Sequence, residues 1–308
     1  MLENMMVVAV QVMTLFVMMG VGFVLRKRSL LTETGTSQMS FVLTNIVTPC
    51  VIIHSLQTEK TPELLQSMGK AAGILAGFYV VGILLTFFFF RKEPETTRKT
   101  LRYAVIYCNT GFMGLPLVQA VLGDEALIYA TISVVMFNLF TWTHGAMLMG
   151  GKAAMSVKKA LLNPGTVALF VGFPLFLLSA RLPSFLGNSI GMLADLNTPL
   201  AMLVIGSLMG TANLKESFTQ KKLYLTTFLR LILVPAIVLL ALAPLKLDYL
   251  LYATCVILCS SPVAGMTPIF AVKFGGDTVS ASQSVTLSTL LSILTMPVFA
   301  ALVPYFSR

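Results

Sequence analysis

Long apolar stretches recur along this chain at nearly even intervals, and a chain patterned in this way has few folds open to it. They can be drawn at residues 5–25, 36–57, 66–90, 100–122, 124–148, 161–180, 188–211, 221–244, 249–273 and 280–304, joined by short loops. Each is close to the ~20 residues that carry an α-helix across the hydrocarbon core of a bilayer. Only 11% of the 308 residues are charged and 56% are hydrophobic, which is more apolar surface than a soluble fold of this size can hide. The expectation is an all-α membrane protein with ten transmembrane helices. The first apolar stretch ends in Arg26-Lys27-Arg28, is too long for a signal-peptide core and reads as a retained anchor helix.

The basic residues sort by loop. With the N-terminus placed outside, Arg26, Lys27, Arg28, Arg91, Lys92, Arg98, Lys99, Arg102, Lys152, Lys158, Lys159, Lys215, Lys221, Lys222 and Lys273 fall on the cytoplasmic side. Lys60, Lys70, Arg181, Lys246 and Arg308 fall on the other, and Arg230 lies within span 8. Fifteen against five is a positive-inside bias that an error of one span would scramble. It predicts a multi-pass protein of the inner membrane with both termini on the non-cytoplasmic side. The formal charge of +9 then reports topology, not a nucleic-acid partner.

Two halves of the chain resemble each other at an offset of about 150 residues. Thr48-Pro49 in span 2 falls on Thr198-Pro199 in span 7, and Asn45 on Asp195. Gly114-Leu115-Pro116-Leu117 in span 4 falls on Met266-Thr267-Pro268-Ile269 in span 9, followed by Gly123-Asp124 and Gly276-Asp277. Five spans per copy is an odd number, so copies 1–150 and 151–308 are expected to be inverted with respect to each other.

Spans 4 and 9 are both polar and helix-breaking at mid-membrane depth, through Asn109-Thr110-Gly111 with Pro116 and through Ser260-Ser261-Pro262 with Thr267-Pro268. A proline removes the amide that its i−4 carbonyl needs, and unsatisfied backbone in hydrocarbon costs several kcal/mol per group. Such a break survives where protein or a water-filled cavity supplies partners, so two matched breaks suggest one shared site. The amides that start each second half-helix carry the positive end of a dipole and suit an anion such as a carboxylate. Neutral donors and acceptors from Asn109, Thr110, Ser260, Ser261 and Thr267 surround the same point. The plainer alternative, prolines that only kink packed helices, is weakened by the symmetric pairing.

The string Asn109-Thr110-Gly111-Phe112-Met113-Gly114-Leu115-Pro116-Leu117, the Pro262…Thr267-Pro268 segment and Asn138 ahead of Trp142 resemble the auxin efflux carrier family. Its members include the plant PIN-FORMED carriers and bacterial proteins described as malonate or malate permeases. The resemblance covers essentially the whole chain, although the long cytosolic loop of many plant members is absent. It implies a fold similar to the bile acid sodium symporters, with a scaffold of spans 1, 2, 6 and 7 and a transport domain of spans 3–5 and 8–10. It also implies broken helices 4 and 9 that cross, a homodimer formed through the scaffold, and an elevator-like displacement of a small carboxylate. Asn109, Thr110, Gly111, Pro116, Ser261, Pro262, Thr267, Pro268 and Asn138 are the substrate-binding candidates on this basis.

Other polar residues carry weaker signals. Asp195 and its repeat partner Asn45 are candidates for a coupling proton or cation, with a solvated scaffold position the competing reading of Asp195. Arg230 is expected to snorkel toward the membrane surface, with anion steering as the alternative. Ser133, Gln119 and Gln283 line the core or simply tie helices together. Cys50, Cys108, Cys255 and Cys259 read as small buried hydrophobes. The stretch from Ser260 to Phe270 has no acidic residue, unlike the sodium site of the bile acid symporters, which leaves a proton, sodium or no coupling ion all open. No nucleotide-binding loop, nucleophile–base pair or catalytic carboxylate pair is present, so neither an enzyme nor a cofactor is expected. The competing functions are a sodium-coupled symporter and a membrane sensor that binds without turnover.

Overall fold

The computed structural model describes residues 2–211 and 218–307, with side chains placed over 10–210 and 218–307. Lys215 and Arg308, both used in the topology argument above, lie outside the described residues. The described chain is helical throughout, and its one β-type pairing is an isolated antiparallel bridge between Cys108 and Val263. We number the helical runs α1 (Leu2–Lys27), α2 (Glu33–Ser55), α3 (Pro62–Thr86), α4 (Glu95–Ile106), α5 (Thr110–Leu122) and α6 (Asp124–Gly150). The second half follows as α7 (Lys152–Leu177), α8 (Ser184–Gly210), α9 (Lys221–Leu245), α10 (Tyr249–Cys259), α11 (Met266–Phe274) and α12 (Thr278–Phe306).

Among the described residues, eight of these runs (α1, α2, α3, α6, α7, α8, α9 and α12) are long and apolar enough to cross a membrane. The apolar segments expected at 100–122 and 249–273 are instead two shorter helices each, α4 with α5 and α10 with α11, joined by non-helical links. The outward surface is apolar. On α1, Val10, Met13, Val17, Val21 and Val24 form an exposed stripe at helical spacing, a face that only lipid or another protein surface would cover. The chain is a multi-pass membrane protein.

Local chemistry sets where the helices begin and how they absorb proline. Thr61 accepts from the Leu64 amide at 3.1 Å and Pro62 opens α3, while Asp248 accepts from the amides of Leu250 and Leu251 at the start of α10; both are ordinary N-caps. Pro49, Pro116 and Pro235 each follow a widened π-helical turn, at Leu43–Val47, Thr110–Gly114 and Leu229–Leu233. In each, the residue just before the proline donates to a carbonyl five residues back, so the missing proline amide is accommodated without breaking the helix.

Helix α8 packs on α1 and on α2, and α2 packs on α7. The α1–α8 contact is backbone on backbone at Gly22 and Gly206, and Thr36 bonds Ser207 across α2 and α8 at 2.6 Å. Helices α3–α6 and α9–α12 gather around the two broken segments.

Candidate functional site

The two links lie side by side at the centre of the second group of helices. The Asn109 amide donates to the Pro262 carbonyl at 2.8 Å, and the Ala264 amide donates to the Tyr107 carbonyl at 2.9 Å, on either side of the Cys108–Val263 bridge. Extended backbone that would be orphaned in hydrocarbon is therefore satisfied by its counterpart. The Val263 amide adds a bond to Ser288 Oγ of α12 at 3.1 Å. The carbonyls freed by Pro262 and Pro268 are also taken. Leu258 O accepts from the Ser261 amide at 3.2 Å, and Ala264 O accepts from the Thr267 amide at 3.0 Å and its hydroxyl at 2.7 Å.

Second half-helices α5 and α11 start at this crossing. Asn109 is the N-cap of α5, its Oδ1 accepting from the Phe112 amide at 3.2 Å. Pro116 lies buried in the following turn, Pro262 is buried in the link, and Pro268 is half-buried in the first turn of α11. The hydroxyls of Thr110 and Ser261 are buried and have no hydrogen-bond partner. Ser261 Oγ points at Gly114, where an added Cβ would come within 3.0 Å of it. A Cβ at Gly111 or Gly265 would meet nothing within 4 Å, so both turns face open space. Two unpartnered hydroxyls, two half-helix N-termini and adjoining space have the chemistry to cradle a small anion.

Arg230 is the residue whose role the sequence misjudged. It does not snorkel: it is 0% exposed, in the π-helical turn of α9. Its Nη1 donates to Val105 O at 3.1 Å, its Nε to Ser261 O at 3.1 Å and its Nη2 to Cys259 O. The guanidinium also lies 5.2 Å from the centre of the Phe78 ring. Val105 lies in the last turn of α4 and Cys259 ends α10, so one cation sits on the negative ends of both first half-helices. Three acceptors, one for each guanidinium nitrogen, suit a fixed fork of donors, which lysine lacks.

The other expected site residues are placed elsewhere. Asn138 Nδ2 donates to Asn163 Oδ1 at 2.8 Å, and that same oxygen caps the Pro164–Leu177 part of α7 through the Gly165 amide at 3.1 Å, so the Asn138 amide ties α6 to α7. Asn45 donates to Phe41 O at 2.9 Å within its own helix, and Asp195 is exposed at the kink of α8; neither is part of the crossing. Gln119 accepts from Thr198 at 3.2 Å and donates to Asp124 at 2.9 Å. Gln283 accepts from Gln220 at 3.1 Å, and Ser133 bonds Ala130 O in its own helix.

Asp277, read in the sequence only as a repeat marker, proves to be a junction. Its carboxylate caps α12 through the Ser280 amide at 2.9 Å and hydroxyl at 2.7 Å, accepts from Thr97 of α4 at 2.8 Å, and faces Lys222 of α9 at 3.7 Å. Burial alone would raise its pKa, but the Ser280 and Thr97 hydrogen bonds and the Lys222 charge together hold the carboxyl below its usual range. A depressed carboxyl contributes stability that is present above the unfolded pKa of about 3.9 and is lost as pH falls through the folded value. Asp277→Ala is therefore expected to cost about 1–2 kcal/mol at neutral pH, as a lost cap does. The deficit should shrink on acidification below about pH 4, read by thermal midpoints of both proteins across that range; a constant deficit would exclude the ionised cap.

The sequence matches the family described as "Membrane transport protein" over residues 7–158 and 152–300. A protein of Methanothermobacter thermautotrophicus named "Uncharacterized transporter" is 24% identical over 299 residues, spanning 94% of this chain and 96% of the relative. A Rhizobium meliloti protein named "Putative malonate transporter" is 24% identical over 244 residues, spanning 76% of this chain and 74% of the relative.

Proposed function

Because this chain belongs to the membrane transport protein family, and so is a membrane transporter, we propose that it carries a small carboxylate across the inner membrane by alternating access. The observation that carries this reading is the crossing itself: two half-helix N-termini meet beside the unpartnered hydroxyls of Thr110 and Ser261. Asn109, Thr110, Gly111, Ser261, Pro262, Thr267, Pro116 and Pro268 form the substrate's surroundings, the prolines and glycine by exposing backbone and the others by hydrogen bonding. Asn138, through Asn163, acts at the edge of that region, not on the substrate.

In the same reading the two interrupted segments complete ten crossings arranged as inverted five-helix copies, with both termini outside. The packing of α8 on α1 and α2 and of α2 on α7 supports their role as a scaffold, which would also dimerise, and the remaining helices would move as the elevator. Among the described residues, the side chain–side chain hydrogen bonds between the two groups are Ser55–Thr131 at 3.0 Å, Asn138–Asn163 and Thr198–Gln119, a small set, as sliding surfaces require. Asp195 and Asn45, exposed on the scaffold, remain the proposed coupling pair. A relative named for malonate makes a short dicarboxylate the first substrate to try.

Purified protein in proteoliposomes is expected to move a labelled small carboxylate, malonate in its singly protonated form among them, under an imposed proton or sodium gradient. Asn109→Ala should lower the initial rate about tenfold, the effect of losing a hydrogen bond to a charged group, and should also cost about 1 kcal/mol of stability as the lost N-cap of α5, so rates are compared per folded protein. Failure of every carboxylate under every gradient would sink the proposal, and an unchanged rate in the variant would remove Asn109 from the site.

A further inference from the structure

We infer that Arg230 sets the charge the crossing accepts, and that the site takes a substrate group bearing one negative charge, not two. The inference rests on the carboxylate reading above and adds a count to it. A helix terminus carries roughly half an elementary charge. Four such termini converge here: the C-terminal ends of α4 and α10, and the N-terminal ends of α5 and α11. Alone, they would cancel, and the crossing would attract neither sign.

Arg230 breaks that balance. Its guanidinium donates to Val105 O and Cys259 O, so its single positive charge offsets the two negative half-charges. What remains is the pair of positive N-terminal halves, about one charge in total, beside two hydroxyls without partners. No carboxylate competes for the guanidinium, because the ion pairs among the described residues are Arg181–Glu59 and Lys222–Asp277. One carboxylate restores neutrality. A second charge on the same small molecule would have to be desolvated with no counter-charge, which is costly in a low-dielectric site.

Three probes of nearly the same shape separate the terms at about pH 8, far above carboxyl pKa values: malonate, its monomethyl ester and its dimethyl ester, with two, one and no charges. Binding of each to the purified full-length protein in nanodiscs is measured by thermal shift and by competition against the best-bound carboxylate. The monoester is expected to bind about tenfold more tightly than either neighbour. Equal or tighter binding of the dianion would overturn the charge count while leaving the carboxylate reading intact; no binding by any carboxylate would remove the carboxylate reading itself.

Arg230→Gln is expected to erase the monoester's advantage over the neutral diester, and Arg230→Lys, which keeps the charge, to retain it. A residue that only held the backbone in place would weaken all three probes alike and leave their ratio unchanged, so an unchanged ratio in Arg230→Gln overturns the proposal. Should that variant not fold, the probe series on the unaltered protein decides the matter alone.

Discussion

Gly206→Ala is expected to destabilise the protein by about 3 kcal/mol, at the upper end of the cost of forcing atoms into a packed contact. A Cβ at Gly206 would run into the carbonyl oxygen of Met19 and lie 2.8 Å from its carbonyl carbon and 2.9 Å from the Phe23 nitrogen. The reciprocal contact sets Gly22 against the carbonyl of Leu203. All these neighbours are backbone atoms, which cannot rotate aside, so α1 and α8 would have to part. Parting them uncovers Val12, Leu15 and Met19 on one side and Ala201, Met202 and Ile205 on the other, all now buried. Between membrane helices such close approach is a main source of affinity, because lipid competes equally well for ordinary apolar faces. Gly20, two residues before Gly22 and on the opposite face of α1, faces open space, and Gly20→Ala should be neutral or slightly stabilising through helix propensity. Thermal midpoints of the two variants make the comparison internal. Equal midpoints would mean that the helices do not touch through their backbones.

The broad outline was legible because a bilayer imposes length and composition on anything that crosses it. Runs such as 66–90 and 280–304 could hardly be anything but long helices, and the helices Pro62–Thr86 and Thr278–Phe306 overlap them closely. The interruptions near Asn109 and Pro262 were legible for an equally local reason, the missing amide of proline beside glycine and hydroxyl side chains. What the two links do for each other was not legible. Cys108 and Val263 pair through their backbones, and nothing in either side chain announces it.

Arg230 shows the same limit more sharply. Counting residues to the nearest helix end favours snorkelling, whereas its acceptors come from α4 and α10, contacts at sequence separations of 125 and 29 residues. Asn138 found its partner at Asn163, and a lone polar residue on an apolar helix does not say which neighbour it faces. Asp277 does carry a local signal: an acidic residue three positions ahead of Ser280, at the head of a long apolar run, is an N-cap pattern. The missed features are long-range pairings of polar groups, and they are the ones that shape the crossing.

Arg230→Met is expected to cost on the order of 5 kcal/mol, from about 1–3 kcal/mol for each buried carbonyl left without a donor. The usual escape from such a cost is closed here. A buried ion pair can be replaced by apolar side chains at little cost when both partners change, but the partners of Arg230 are backbone carbonyls and stay where they are. Nor can their own helices take them back. The donor that would continue α4 to Val105 O is the Asn109 amide, which is committed to Pro262 O. The donor that would continue α10 to Cys259 O is the Val263 amide, which is committed to Ser288 Oγ. The antiparallel pairing of the links and the arginine beneath them are thus one arrangement: unwinding both helices to make the crossing exposes the carbonyls that only a multi-armed donor can satisfy. Methionine would also forfeit the contact with Phe78, about 0.5–2 kcal/mol for a cation on a ring face. Arg230→Lys, with one nitrogen to serve carbonyls that now receive three, should fall between methionine and the unaltered protein. The measurement is the thermal midpoint and the yield of folded protein extracted from membranes, and a methionine variant within about 1 kcal/mol of the original would show that the guanidinium does not hold the two half-helices together.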